Sequence, residues 1–377
     1  MIGRSAFALV FACAVSTGAV FAAHAGLQAR GRGLETEAAL LYVCVQDEAK
    51  VAIVDTASRA VVRTIDLQKL GFTSTAKPHY IVVEPDGSAW YVSLIGANRV
   101  VKFDRQDRIV GQFEMETPGM LALAPGNRLV ATRSMSAVNP PKRVAVIDRG
   151  SAGAGGQAMT GEEVEVLFAR PHPMAATGAG YAYTGSLGVN QIASIALEEA
   201  KVAITSLPGS IHSLVQFAVS PDGKTLVAST DATGMLLVFD LSAPASPKLV
   251  KSVPVGTMAF DPVFTPDGEF VWVPVKSTNS LVILDTRTWT EAARITDTNL
   301  KQPQQIVFSP DGSTAFVTNN NKMDHMADPA HAGHTMPGMD AAGALVVVNT
   351  KTRAVEKAIP LGKNLTGMGV SASRAAR

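Results

Sequence analysis

A polar segment near the C-terminal end of the chain, residues 320–343, combines two side-chain types that bind soft metal ions. Thioether sulfur favours Cu(I), and imidazole serves both copper oxidation states. Methionine is an unusual choice in a segment rich in Ala, Gly, Asp and Pro unless its sulfur binds a metal or touches a partner. The segment is therefore predicted to bind copper, and an insertion without any ligand is the alternative. The predicted metal ligands are Met323, His325, Met326, His331, His334, Met336 and Met339.

Three further histidines stand at or just before short apolar runs: His79 in Lys-Pro-His, His172 in Arg-Pro-His and His212 in Ser-Ile-His. Gln304 holds the position of His79 ahead of another run. Converging neutral imidazoles suit zinc, copper or iron, and they can also flank a ligand or a non-covalent d-type haem. The alternative is that each ring bonds only to nearby backbone. Weaker candidates of the same kind are Met120, Asp261, Gln305 and Met368.

The elements that must position these residues repeat along the chain. A short apolar strand followed by Pro-Asp-Gly occurs four times, starting at Pro85, Pro221, Pro266 and Pro310. Proline presets φ for the turn and glycine accepts a positive φ, so each site predicts a hairpin. A later strand that ends in Asp or Asn recurs about every 45 residues, and the last spacing, from Asp285 to Asn349, is stretched by the His/Met-rich segment.

Four strands in a unit of this length indicate the blade of a propeller. The chain holds seven such units. The N-terminal strand at 40–45 lacks a first strand before it, and an unpaired first strand at 367–371 follows the last unit. Pairing these two would close the ring and hide the sheet edges. We therefore predict an all-β fold, a seven-bladed β-propeller over residues 36–372.

This architecture places the two groups of histidines on one face of the disc. The connectors between blades and the loops between second and third strands share that face, and ligands of propellers commonly bind in the funnel there. Asp residues that end strands, such as Asp55 and Asp285, recur with the period and are interpreted as turn residues. Trp90, Trp272 and Trp289 are interpreted as packing between blades.

Residues 1–25 have the pattern of a secretory signal peptide. Arg4 precedes an apolar stretch, and Ala23-His24-Ala25 fits the cleavage pattern. A lipoprotein signal using Cys13 is the weaker alternative. Residues 26–35 and the tail 373–377 are expected to be loose, and Cys44, the one cysteine beyond the signal, is expected to be a buried thiol. The mature protein is predicted to be periplasmic, without a membrane span.

Composition excludes several classes of function. The chain has 377 residues, of which 47% are apolar and 17% charged, so it can form a large core. Its 33 basic and 32 acidic residues leave no basic surface to bind nucleic acid. Two cysteines exclude a disulfide framework, a cysteine zinc site and covalent haem attachment. No phosphate-binding loop or nucleophile elbow is present, and we expect a monomer.

Several strands carry a recognisable repeat. Leu41-Tyr42-Val43 followed by Val51–Thr56, and Ala315–Asn319 followed by Val346–Thr350, resemble the bacterial YVTN repeat. The resemblance covers nearly the whole mature chain. It implies a propeller related to surface-layer and YncE-like periplasmic proteins, lactonase propellers and the d-type haem domain of cytochrome nitrite reductase. Because these relatives differ in function, the resemblance implies the fold alone. The segment 320–343 is similar in composition to stretches of periplasmic copper-handling proteins.

Three functions follow as hypotheses. The favoured one is a non-catalytic periplasmic binding or scaffold protein that handles copper through its His/Met-rich segment. The second is an oxidoreductase or cofactor carrier that holds a metal ion or d-type haem with His79, His172, His212 and Gln304. The third is a scaffold for a periplasmic protein partner, in which the histidines bind no metal.

Overall fold

The computed structural model describes residues 36–37, 39–133, 142–151, 157–321, 342–372 and 374–375. They form seven four-stranded antiparallel sheets, and the innermost strands of neighbouring sheets contact one another around a central channel. The all-β, seven-bladed propeller predicted from the repeats is confirmed. We number the blades along the chain, and within each blade we name the strands inner, second, third and outer.

Each blade is a meander of four strands. From the channel outward, the first four blades consist of Leu365–Val370, Leu40–Val45, Lys50–Asp55 and Ala60–Asp66 (blade 1); Pro78–Val83, Ala89–Leu94, Arg99–Asp104 and Ile109–Glu114 (blade 2); Pro118–Ala124, Arg128–Arg133, Arg143–Asp148 and Gly161–Glu165 (blade 3); and Pro171–Ala176, Tyr181–Ser186, Gln191–Ala196 and Lys201–Ser206 (blade 4). The last three consist of Leu214–Val219, Thr225–Thr230, Met235–Asp240 and Lys248–Pro254 (blade 5); Val263–Phe264, Phe270–Val275, Ser280–Asp285 and Thr290–Thr296 (blade 6); and Pro303–Phe308, Thr314–Asn319, Gly343–Asn349 and Val355–Gly362 (blade 7).

Helical structure in the described ranges is limited to five short 3₁₀ turns. Their bounds are Gln46–Glu48, Leu67–Leu70, Ile95–Ala97, Arg149–Ser151 and Lys276–Thr278. None of the described residues belongs to a helix of sufficient length and hydropathy to cross a bilayer.

The two ends of the chain complete blade 1. The inner strand Leu365–Val370 pairs antiparallel with Leu40–Val45, in a register that sets Val370 opposite Leu41. This confirms the predicted closure, with the inner strand starting two residues earlier than the sequence indicated. The tail differs from expectation, because Arg374 and Ala375 form a two-residue ladder with Thr36–Glu37 beyond the blade. The segments Thr36–Glu37 and Arg374–Ala375 both flank blade 1, which brings their backbones close together.

The hairpin turns have the conformation that their sequences predict. The glycines of the four Pro-Asp-Gly turns, Gly87, Gly223, Gly268 and Gly312, have φ between 57° and 74°. The strand-ending aspartates cap the next turn: Asp55 Oδ1 accepts hydrogen bonds from the backbone N–H groups of Ala57 and Ser58. The structural interpretation of these periodic acids is therefore confirmed.

The core is divided among the blade interfaces. Seven clusters of buried apolar side chains are present in the described ranges, one for each pair of adjacent blades. Between blades 1 and 2, Trp90 stacks on Phe103 with ring centroids 4.1 Å apart. Trp90 and Trp272 are buried as packing residues, and Trp289 is half-buried against the same kind of cluster. Cys44 is fully buried, and burial raises the pKa of its thiol.

Candidate functional site

The backbone takes an unusual conformation where each inner strand begins. In six blades, the residue directly before the inner strand has a φ between 38° and 58°. In blade 6, the residue with such a φ directly precedes Ala259, which forms an isolated bridge with Val275. The pairing of inner and second strands also shifts register near this point in six blades. Such irregularities re-aim side chains, so consecutive residues of one strand can both face the channel. The seven left-handed residues are Lys77, Thr117, Arg170, Ser213, Met258, Gln302 and Asn364.

His79 and His172 each lie two residues after a member of this set, Lys77 or Arg170. In both imidazoles Nδ1 is hydrogen-bonded, and Nε2 remains for another ligand. His79 Nδ1 lies 2.9 Å from Gln46 Oε1, and His172 Nδ1 lies 2.7 Å from the carbonyl oxygen of Val215. Because an oxygen of either kind only accepts, each Nδ1 carries the proton and each Nε2 keeps its lone pair. Nε2 of His79 is buried and has no hydrogen-bond partner in the described part of the chain. A carbonyl that orients an imidazole in this way is typical of metal-ligating histidines.

The two histidines occupy equivalent positions in blades 2 and 4, with blade 3 between them. Each follows the first paired residue of its inner strand, Pro78 or Pro171. In the intervening blade 3, the equivalent ladder starts at Pro118, so the corresponding position is Gly119, which has no side chain. The charge of His172 contributes to the lowered pKa of His79.

Both imidazoles are neutral at physiological pH. Burial, helped by the charges of His172 and Lys276, lowers the pKa of His79 to about 3. Burial also lowers the pKa of His172 to about 4, against the opposing effect of its bond to the Val215 carbonyl. His79 is half-buried, whereas His172 is 2% exposed. Neutral imidazoles with available Nε2 atoms are competent ligands for copper or zinc.

Lys276 occupies another part of the channel mouth. It follows the second strand of blade 6, is only 4% exposed, and donates to Gln304 Oε1 at 3.1 Å. Its Nζ also lies 3.6 Å from the centroid of the Phe260 ring. The amide oxygen of Gln304, a predicted site residue, is therefore occupied by the ammonium group.

Tyr80 directly follows His79 in the inner strand of blade 2. Gln216 Nε2, from blade 5, donates to Tyr80 Oη at 3.1 Å, so the phenol reaches across the channel from blade 2. Gln305 of blade 7 forms a second hydrogen bond with the same hydroxyl. Burial and the nearby Asp261 raise the pKa of Tyr80, so the phenol stays neutral. Tyr80 lines a cavity of the channel that neither His79 nor His172 lines.

Not every predicted site residue faces the channel mouth. His212 lies two residues before the inner strand, and its ring is held by Thr233 Oγ1 at 2.9 Å and by the Pro208 carbonyl at 3.3 Å. The local-bonding alternative therefore describes this ring. Met120 and Met368 pack in the clusters between blades instead of lining the mouth. Among the residues with a described position, no three His, Cys, Asp or Glu side chains are grouped to hold a metal ion.

The predicted ligands of the His/Met-rich segment, Met323, His325, Met326, His331, His334, Met336 and Met339, lie outside the described residues. The described flanks of the segment meet at the rim of the channel mouth. Asn321 Nδ2 donates to the carbonyl of Ala342 at 3.3 Å, and Asn320 is buried beside Asn364, to whose Oδ1 its amide donates at 2.7 Å. The two described flanks, Asn321 and Ala342, therefore lie on the same face of the disc as His79 and His172.

Asp261 gives the site a measurable pH dependence. Burial raises its pKa to about 7, although Lys276 acts in the opposite direction. Because the folded-state pKa lies above the unfolded value near 3.9, the stabilising contribution is complete below pH 4 and is lost as pH rises to about 7. The difference in unfolding free energy, wild type minus Asp261→Asn, should therefore fall by a few kcal/mol between pH 4 and 7.5, since a pKa difference of one corresponds to about 1.4 kcal/mol.

Urea unfolding of the two proteins at several pH values measures this difference. The buried histidines respond in the opposite sense, since their lowered pKa values destabilise the fold as pH falls below about 6.5. Their contribution cancels in the comparison because both proteins contain them. A difference that does not change with pH would show that Asp261 is ionised in the folded protein.

Gly367 allows blades 1 and 2 to approach closely beside the site. A Cβ at this position would lie 2.4 Å from the carbonyl oxygen of His79 and 2.5 Å from Tyr80 Cα. Gly367→Ala should therefore destabilise the protein by about 1–3 kcal/mol and displace His79. Gly178→Ala is the matched control, because no atom lies within 4 Å of its added Cβ. Equal unfolding midpoints for the two variants would contradict the close approach.

The described architecture is shared with several bacterial proteins of different activity. The propeller of dihydro-heme d1 dehydrogenase NirN, in complex with DHE, matches with a TM-score of 0.58 and 16% identity, over 87% of this chain and 74% of NirN. Apo AztD from Citrobacter koseri gives a TM-score of 0.64 and 11% identity, over 91% and 100% of the two chains. The Pseudomonas aeruginosa periplasmic gluconolactonase PpgL gives 0.63 and 17%, over 89% and 99%.

The chain has the fold of these bacterial β-propellers. This agrees with the fold that the YVTN resemblance implies, and at such low identity the likeness extends to the fold alone. No protein-family model and no curated protein matches the chain. The function of this propeller must therefore be argued from its own residues.

Proposed function

We propose that this propeller is an exported copper-binding protein that receives Cu(I) at the mouth of its channel. The observation that carries the proposal is the pair of imidazoles with fixed tautomers. His79 and His172 each donate from Nδ1 to an oxygen, which leaves two neutral Nε2 atoms for a metal. In this proposal the protein binds and passes on the ion and catalyses no reaction.

The remaining ligands come from the His/Met-rich segment. Two imidazoles from the described residues do not make a complete site for most metal ions, and no third His, Cys, Asp or Glu of the described chain joins them. A segment whose flanks, Asn321 and Ala342, are hydrogen-bonded at the rim can supply thioether or imidazole groups from above. Soft thioethers favour Cu(I) over zinc, which is why copper is proposed. Holding a Gly- and Pro-rich segment in one conformation around the ion costs conformational entropy, so the affinity is lowered. A lowered affinity suits an exchangeable ion.

Removal of the segment tests whether it supplies the remaining copper ligands. Wild-type protein lacking residues 1–25 and a variant with residues 322–341 replaced by a short Gly-Ser linker would each be titrated with Cu(I) against a chromophoric chelator. We expect one or more tightly held Cu(I) ions in the wild type, much weaker binding in the variant, and the same thermal unfolding in both. Equal Cu(I) affinity in the two proteins, or no competition by the wild type, would refute the proposal.

A cofactor carrier is the second candidate. The same Nε2 atoms are placed to ligate the iron of a d-type haem, and NirN is a propeller of the same fold described in complex with DHE. Visible absorption distinguishes the two candidates, because a haem protein purified from its natural host would be coloured whereas a Cu(I) protein is colourless. A haem band that disappears in His79→Gln would favour this candidate over copper.

The proposed location is the periplasm. The signal-like pattern of residues 1–25 supports export, and the similar propeller PpgL is described as periplasmic. Cleavage should leave a mature chain that begins near Gly26. Intact mass of protein released by osmotic shock measures this, and a full-length chain found only in the cytoplasm would contradict it.

A further inference from the structure

Tyr80 forms one wall of a cavity in the channel. The cavity has a volume of about 420 Å³ and lies against the inner strands of blades 5, 6 and 7. Its upper end is formed by polar side chains, and its rim includes Pro266 and Pro310, which begin two of the Pro-Asp-Gly turns. The cavity therefore faces the side of the disc opposite to the channel mouth.

One polar group in this cavity has an unmet bonding requirement. Asp261 lines the cavity and is 4% exposed, and its Oδ1 has no hydrogen-bond partner in the described part of the chain. A buried carboxyl oxygen without a donor is costly, so native structures usually give it a partner. For the ionised carboxylate, which only accepts, the missing partner is a hydrogen-bond donor.

The other polar groups of the cavity already have partners. Gln216 Oε1 accepts from the backbone N–H groups of Met174 and Phe217, and its Nε2 donates to Tyr80. Gln305 Oε1 accepts from the N–H of Met368. Lys276 donates to Gln304 Oε1 and lies against the Phe260 ring, and its charge acts on Asp261. None of these groups forms a hydrogen bond with Asp261 Oδ1 in the described part of the chain.

The walls of the cavity are apolar and rigid. Aromatic side chains from three blades, Phe217, Phe264 and Phe308, line it together with Val263. The rim is held by nested turns, since an added Cβ on Gly312 would lie only 3.3 Å from the ring of Pro266. An apolar pocket with one convergent acidic group is typical of a binding site for a small organic molecule.

We propose that this cavity binds a small organic amine, with the ammonium group on Asp261 and an apolar body against the phenylalanine side chains. Hydrogen bonds between ionised groups are about twice as strong as those between neutral groups, so a cation is preferred over a neutral donor of the same shape. Aromatic faces also attract cations. This site is distinct from the proposed copper site, because neither His79 nor His172 lines the cavity.

A matched pair of probes tests the proposal. 2-Phenylethylamine and 2-phenylethanol have the same shape and differ in the ammonium group. At pH 8, where Asp261 is ionised, isothermal titration should give a dissociation constant at least about tenfold lower for the amine. Asp261→Asn should abolish this preference, while His79→Gln should retain it. Thermal unfolding of Asp261→Asn confirms that the variant is folded.

Three results would overturn the proposal. They are equal affinity of the wild type for amine and alcohol, an amine preference that persists in Asp261→Asn, and absence of amine binding at millimolar concentration. The first two exclude a role for the carboxylate, and the third excludes the cavity as an amine site. None of them affects the copper proposal, which rests on His79 and His172.

Discussion

Replacing His79 and His172 together by glutamine should weaken Cu(I) binding about 100-fold or more. Loss of a residue that merely orients a ligand typically costs 10–100-fold in metal affinity, and these two substitutions remove the proposed ligands themselves. Competition against a chromophoric Cu(I) chelator measures the change. Glutamine retains a side-chain N–H donor, so the bonds to Gln46 and to the Val215 carbonyl have a substitute.

His212→Gln is the matched control for this experiment. It removes an imidazole from the same family of connectors, but both nitrogens of that ring already have partners, Thr233 and Pro208. We expect wild-type Cu(I) affinity in this variant. If His212→Gln weakens copper binding as strongly as the double variant, histidine content and not the geometry of the mouth controls the affinity.

Ending the chain at residue 364 should prevent folding. The inner strand of blade 1 would be lost, and with it Leu365 and Met368, which are 0% and 1% exposed. Removal of one large core side chain costs about 2–5 kcal/mol, so these two alone approach the 5–15 kcal/mol of a typical domain. The edge of Leu40–Val45 would also be exposed and prone to pair with other chains. We expect insoluble or molten protein, measured by soluble yield and near-UV circular dichroism.

Truncation after residue 372 separates ring closure from the tail. It retains the inner strand and removes only the two-residue ladder of Arg374 and Ala375 with Thr36–Glu37. This variant should be folded, with an unfolding midpoint close to that of the full chain. A cooperative, native-like unfolding transition in the chain ending at residue 364 would contradict the assignment of Leu365–Val370 as the strand that closes the ring.

The fold was predictable because its signals repeat. Each Pro-Asp-Gly turn and each strand-ending acid predicts a local hairpin, and seven repetitions leave the propeller as the consistent arrangement. The closure of blade 1 followed from counting strands at the two ends. The pairing of Arg374 and Ala375 was not predictable, since a two-residue ladder has no periodic pattern.

The site was predictable only where it shares the repeat. His79 and His172 have the same offset in their blades, whereas His212 lies further from its strand, and its ring is bonded locally. Tyr80 was missed because alternation along a strand would turn it away from the side that His79 faces. The register shift after Pro78 brings both to the channel. The sequence did contain a signal for this irregular start of the inner strand, because in four blades a proline directly follows the residue with positive φ.

The polar partners of the site had no such signal. Gln46 and Lys276 follow second strands, at a position where each blade has a different residue. In the sequence, nothing distinguishes Gln216 from other strand residues. Its contact with Tyr80, 136 positions away, is visible only in the structure. Contacts across the channel depend on ring closure, which brings together blades that are distant in sequence.

Copper K-edge X-ray absorption on the Cu(I)-loaded mature protein tests the central claim most directly. The account predicts nitrogen neighbours with the outer-shell scattering of imidazole. It also predicts sulfur neighbours about 2.3 Å from the copper ion, supplied by the His/Met-rich segment. The imidazole scattering should be strongly reduced in the His79→Gln, His172→Gln double variant and unchanged in His212→Gln. An imidazole signal that is identical in wild type and double variant would show that the channel mouth does not bind the ion.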